Sequence, residues 1–234
     1  MRFRHGGYRA ISRGIAVALC LMATAPRPAG SGVSQPADSF TLASGPLTET
    51  VQGRELLSYL VSCALPAGVH AILPGASATV SFPGDLGLAP GWRERPLTPA
   101  EQEIVSACIL ARVNAFGVPV RLSMRALSGT RGVSGLRTDD DERQTFTLFE
   151  GAFFGNIFAD PPRKFACTGD AKIEELRALK RICTLAATGG TSVCDFVITG
   201  PCPASRGPAG GNRYWPNAIA VFLAPDQGTL GHPG

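Results

Sequence analysis

Glu150 stands between Phe149 and Gly151, in a stretch from Phe146 to Phe158 that also holds Phe153 and Phe154. Apolar neighbours raise the pKa of a carboxyl, which is what the general acid of a glycosidase needs. Glu150 is therefore the candidate acid, with Asp160 close by in sequence, although no second carboxylate is marked out at the required separation. Histidine chemistry has less to work with, because a Ser-His-Asp or Cys-His site needs a histidine poised as general base. His232 lies almost at the C-terminus, His70 falls on the polar face of an expected hairpin, and no G-x-S-x-G elbow accompanies either. Asp139-Asp140-Asp141-Glu142 offers the hard oxygen ligands calcium prefers, but without the alternate spacing and turn glycine of a calcium loop. It reads as a solvated loop, so neither a metal nor another cofactor is expected. Arg121 and Arg125 share one face of an expected strand and could grip a carboxylate or phosphate. Trp92 and Trp215 sit beside turn formers; exposed there, they would suit contact with a sugar or a protein, and buried they would plug a core.

Seven cysteines remain to be explained. Cys20 lies in an N-terminal export signal, described below. Without it, Cys63, Cys108, Cys167, Cys183, Cys194 and Cys202 form an even set in an exported chain, which reads as up to three disulfides. Zinc is the competing reading, but no C-x-x-C pair is present and histidines are few. Cys63 and Cys108 fall beside the apolar stripes of two expected helices that flank a hairpin, so they are expected to pair; closing a loop of about 45 residues would stabilise the fold by roughly 4 kcal/mol. Thr188-Gly189-Gly190-Thr191 supplies a turn between Cys183 and Cys194, which leaves Cys167 for Cys202.

The elements that must position these residues follow from periodicity. Leu56, Leu57, Leu60, Val61 and Ala64 recur at helical spacing between Thr48 and Leu65, and Pro66 and Gly68 end the helix. Val69 to Leu73 and Ala78 to Phe82 form a hairpin, with Val69, Ala71 and Leu73 opposite His70. Thr98-Pro99-Ala100-Glu101 is a capping box with proline at the first helical position, opening a helix whose stripe is Val105, Ile109, Val113 and Phe116. Val118 to Ala126 then alternates, with Val120, Leu122, Met124 and Ala126 on the buried face and Arg121, Ser123 and Arg125 outside. A short charged helix is expected between Asp170 and Arg181, and strands at Asp195 to Thr199 and Ala218 to Leu223.

The termini bound the class. Arg2, Arg4, Arg9 and Arg13 precede an apolar run from Gly14 to Ala25, the parts of a signal peptide, and the run is shorter than the roughly 20 residues that cross a bilayer. Val17-Ala18-Leu19-Cys20 disfavours a lipid anchor, since Leu19 is bulky where such sites want a small residue. Of the 22 basic residues four lie in this signal and none of the 18 acidic ones does, so the remainder is balanced at 18 against 18. A domain without basic excess lacks the footprint of a nucleic-acid binder. Residues 26–47, rich in Pro, Gly and Ser, read as a flexible linker; 48–224 as one disulfide-bonded globular domain; and 225–234 as a disordered tail.

The segments Leu57 to Pro66, Phe82 to Pro90 and Val105 to Asn114 resemble cysteine-containing exported proteins of soil-dwelling Gram-negative bacteria. That resemblance implies no activity and no site. The expected fold class is α+β: two main helices packed on a small antiparallel sheet, with an irregular C-terminal part tied by disulfides. The expected function is a non-catalytic periplasmic or extracellular protein that binds a protein or glycan partner, with no transmembrane helix after signal removal. The alternative is a secreted, glycosidase-like hydrolase with Glu150 as acid.

Overall fold

The computed structural model describes residues 47–75, 77–126, 136, 138–185, 190–202 and 217–225. The expected signal peptide, nearly all of the linker, Trp215, His232 and the tail beyond Pro225 lie outside these residues. The described chain is α+β and divides into two compact units, one from its residues up to Val105 with Asn156–Arg163 and the other from Ser106–Gly155 with its residues from Lys164 onward.

In the first unit, helix α1 (Val51–Ala64) begins where the Thr50 side chain accepts a hydrogen bond from the Gly53 N–H at 2.9 Å. Leu56, Leu57, Leu60, Val61, Cys63 and Ala64 are buried, the stripe expected from their spacing. A helix end leaves carbonyls without intrahelical donors. Here the N–H groups of Leu86, Leu88 and Ala89 donate to the Ser62, Cys63 and Ala64 carbonyls at 2.9, 3.0 and 2.9 Å. The returning segment runs so close that a Cβ on Gly84 would lie 2.5 Å from the Pro66 oxygen. Strands β1 (His70–Pro74) and β2 (Thr79–Pro83) pair antiparallel with Ile72 opposite Ser81, and Ala71, Leu73 and Phe82 face inward. A 3-10 turn, Pro90–Arg93, buries Trp92.

Helix α2 (Pro99–Arg112) opens with the expected capping box. The Thr98 N–H donates to Glu101 Oε2 at 2.8 Å, and the Glu101 N–H donates back to Thr98 Oγ1 at 3.3 Å. The packing differs from the expected single stripe. Every residue from Ile104 to Ala111 is buried, as for a helix enclosed on all sides, and Phe116 lies beyond the helix and is 48% exposed.

The second unit is built on a five-stranded sheet in the order β3-β7-β4-β5-β6, comprising β3 (Leu122–Ala126), β4 (Leu148–Asn156), β5 (Arg163–Thr168), β6 (Val197–Pro201) and β7 (Ile219–Leu223). β7 runs antiparallel to both β3 and β4. β5 and β6 are parallel, so the sheet is mixed where an antiparallel one was expected. Parallel neighbours need a long crossover, and the connection from Gly169 to Phe196 supplies it, carrying the short helix α4 (Ile173–Ala178). The C-terminal part contributes α4, β6 and β7, while its Gly- and Pro-rich residues 203–216 lie outside the described residues. Helix α3 (Asp140–Thr145) uses Asp139 as its N-cap, accepting from the Glu142 N–H at 2.7 Å. Part of the acidic run is therefore a helix start.

Cys167 is joined to Cys202 and Cys183 to Cys194, the pairing expected for these four. Cys63 and Cys108 are disulfide-bonded as well, so the protein carries three disulfides. Oxidation on this scale fits an exported protein. Among the described residues no helix is long and apolar enough to cross a membrane.

Candidate functional site

Glu150 is the point on which any carboxylate chemistry depends, and local backbone geometry decides where it points. β4 slips register against β7 between Phe149 and Gly151, so Phe149 opposes Phe222, Gly151 opposes Val221, and Glu150 is the extra residue of a bulge. Bulges re-aim side chains. Two glycines let the chain close around this one: a Cβ on Gly151 would lie 2.2 Å from the Cys167 oxygen, and one on Gly169 would lie 2.0 Å from the Phe149 oxygen. The result is a carboxylate only 1% exposed.

Its partner is Arg181, whose Nε donates to Glu150 Oε2 at 2.9 Å and whose side chain is also 1% exposed. The same guanidinium donates through Nη2 to the Ala111 carbonyl and through Nη1 to the Val113 carbonyl, each at 2.8 Å. These carbonyls lie at the C-terminal end of α2, where helix dipole and unpaired acceptors favour a cation. One arginine therefore caps a helix and neutralises a buried acid. Glu150 Oε1 and Thr184 Oγ1 are buried with no hydrogen-bond partner among the described residues. Burial pushes the Glu150 carboxyl above its usual range, more than Arg181 pulls it down.

A general acid must reach the bond it protonates. Glu150 has its pKa displaced in the direction an acid needs, but desolvation inside a packed ion pair does this, and the only side chain bonded to it among the described residues is a cation. Asp160, its neighbour in sequence, is exposed. Among the described residues, no three His, Cys, Asp or Glu side chains gather as a metal site would require. The geometry is that of a structural ion pair.

No protein-family model, curated protein or solved structure matches the chain. Function must then be argued from the residues.

The other candidates scatter. His70 is exposed, with Nδ1 3.1 Å from Ser81 Oγ across the hairpin. Trp92 is a core plug at 7% exposure. Arg121 and Arg125 are held differently: Arg121 is exposed with its guanidinium 5.7 Å from the Phe146 ring centre. Arg125 lies 4.0 Å over the Phe222 ring and donates to Ser123 Oγ at 2.9 Å and to the Phe146 carbonyl at 2.7 Å. Ser123, expected outside, is 1% exposed, while Leu122 and Met124 are half-buried. Ser123 is the departure on β3: stacking of Arg125 on Phe222, and its bond to Ser123, cover that one polar position, while Arg121 on the same face stays exposed. Arg181 is the functional residue that sequence reasoning passed over; its one signal was a charge set directly before Ile182-Cys183.

Proposed function

We propose that this chain is a non-catalytic exported protein, directed by residues 1–25 to the periplasm or beyond, that binds a protein or glycan partner. The observation that carries the proposal is the Glu150–Arg181 pair: the best-placed acid is committed to holding β4, α2 and the segment after α4 together. Three disulfides support residence in an oxidising compartment. A partner surface is available on the second unit, where Phe116 and Val118 are 48% and 42% exposed and the Lys180 ammonium stands 5.5 Å from the Phe116 ring centre. An exposed aromatic beside a cation suits both sugar faces and protein side chains.

The test is incubation of the oxidised protein with cell-wall, polysaccharide and envelope-protein extracts, scoring retention and released product together. Retention without product is expected, weakened by Phe116→Ser while the circular dichroism spectrum stays unchanged. Turnover of any glycan that is abolished by Glu150→Gln would replace this reading with the hydrolase.

A further inference from the structure

Cys167–Cys202 and Cys183–Cys194 differ in what would hold their sulfurs in place once opened. Cys167–Cys202 staples neighbouring strands. The Cys202 N–H donates to the Thr168 carbonyl at 2.7 Å, extending the β5–β6 ladder, and both cysteines pack with Ala152, Phe154, Ala218 and Ala220. Its sulfurs separate only if sheet and cluster loosen. Cys183–Cys194 joins two turns outside any strand. Cys194 is half-buried between Val193, 61% exposed, and the exposed Asp195, and its N–H is held by Ser192 Oγ at 3.2 Å. Cys183 is fully buried, with its sulfur 3.5 Å from the Val113 carbonyl oxygen. That carbonyl already accepts from Arg181, which anchors the segment two residues before Cys183.

From this asymmetry we infer that Cys183–Cys194 is a thiol-exchange site at which a small thiol forms a mixed disulfide with Cys194. The attacking thiol loses its proton to solvent, and its thiolate reaches the sulfur of Cys194, the less buried of the two cysteines. A new sulfur–sulfur bond forms there as the Cys194–Cys183 bond breaks, and Cys183 leaves with the electron pair and takes up a proton from solvent. The resulting Cys183 thiol has the Val113 oxygen in place as its acceptor. Bonds from Arg181 to Ala111, Val113 and Glu150 hold the segment of Cys183, and Ser192 holds that of Cys194, so the exchange reverses when the thiol is withdrawn. A second equivalent of thiol releases Cys194 and yields the oxidised small molecule.

The experiment treats the native full chain, without denaturant, with reduced glutathione, quenches by alkylation at intervals, and maps the cysteine peptides by mass. The expected first product carries glutathione on Cys194 and the alkyl group on Cys183, with Cys167, Cys202, Cys63 and Cys108 still oxidised; removing glutathione and adding its disulfide restores the starting map. Glutathione on Cys183, earlier opening of Cys167–Cys202, or loss of all three disulfides in one step would each overturn the inference. A Cys183→Ala/Cys194→Ala variant, folded by circular dichroism, should give no early adduct. An adduct appearing at the wild-type rate in that variant also overturns it.

Discussion

At the scale of single residues, the Glu150–Arg181 pair bears on both stability and the response to pH. Removing one partner of a buried pair strands the other, at about 3–5 kcal/mol. Arg181→Met is therefore expected to destabilise by that amount in urea unfolding, and more than a Glu150→Leu/Arg181→Met double replacement, because the double variant strands no charge. The pH dependence has a definite sign. A carboxyl raised above its unfolded value of about 4.3 contributes most stability below that pH, and the contribution is lost as pH rises through the folded pKa. Glu101 acts in the opposite direction. Its bidentate hydrogen bonds from Arg95, at 2.6 and 2.7 Å, hold its carboxyl down at about 2. The stability it contributes is present above about pH 4.3 and lost as pH falls toward 2. Thermal melts from pH 2 to 7 should show Glu101→Gln flattening the acid limb and Glu150→Gln removing the decline on the other side.

Elements show which parts of the fold are local enough to read from sequence. The start of α2 was legible because a capping box involves residues three apart, and Thr98→Ala should cost about 1 kcal/mol in chemical denaturation. β3 was legible as a strand, but the burial of Ser123 was not: alternation gives the period, whereas Arg125, lying over Phe222 and bonded to Ser123, covers that position. Arg181 was illegible, since its partners are 31, 68 and 70 residues away. Its inward aim depends on a turn. After α4 the Arg181 N–H returns to the Leu176 carbonyl at 2.7 Å and the Lys180 N–H to the Arg177 carbonyl at 3.1 Å, with Lys180 at φ 60°. This is a Schellman ending with lysine where glycine is preferred. Lys180→Gly should accordingly raise stability by about 0.5–1 kcal/mol, since glycine adopts that conformation without steric cost and the exposed contact to Phe116 that it loses is weaker. Gly169→Ala should do the reverse, by more than about 2 kcal/mol, because its Cβ would collide with the backbone at Phe149.

Across the whole molecule, three disulfides crosslink the chain. Chain entropy gives about 4 kcal/mol for Cys167–Cys202 and about 3 kcal/mol for Cys183–Cys194, large against the roughly 5–15 kcal/mol by which domains are stable. The even cysteine count was open to view in the sequence, and it brought the three disulfides within reach. The mixed sheet was not, because the parallel β5–β6 pair is set by a crossover whose path no local pattern records. The most direct measurement is a non-reducing peptide map of the full chain recovered from the periplasm and medium of bacterial cells that express it, alkylated before digestion. Oxidative export predicts Cys167 linked to Cys202, Cys183 linked to Cys194, and no alkylated thiol among the six. Six alkylated cysteines, or Cys183 linked to Cys202, would contradict it.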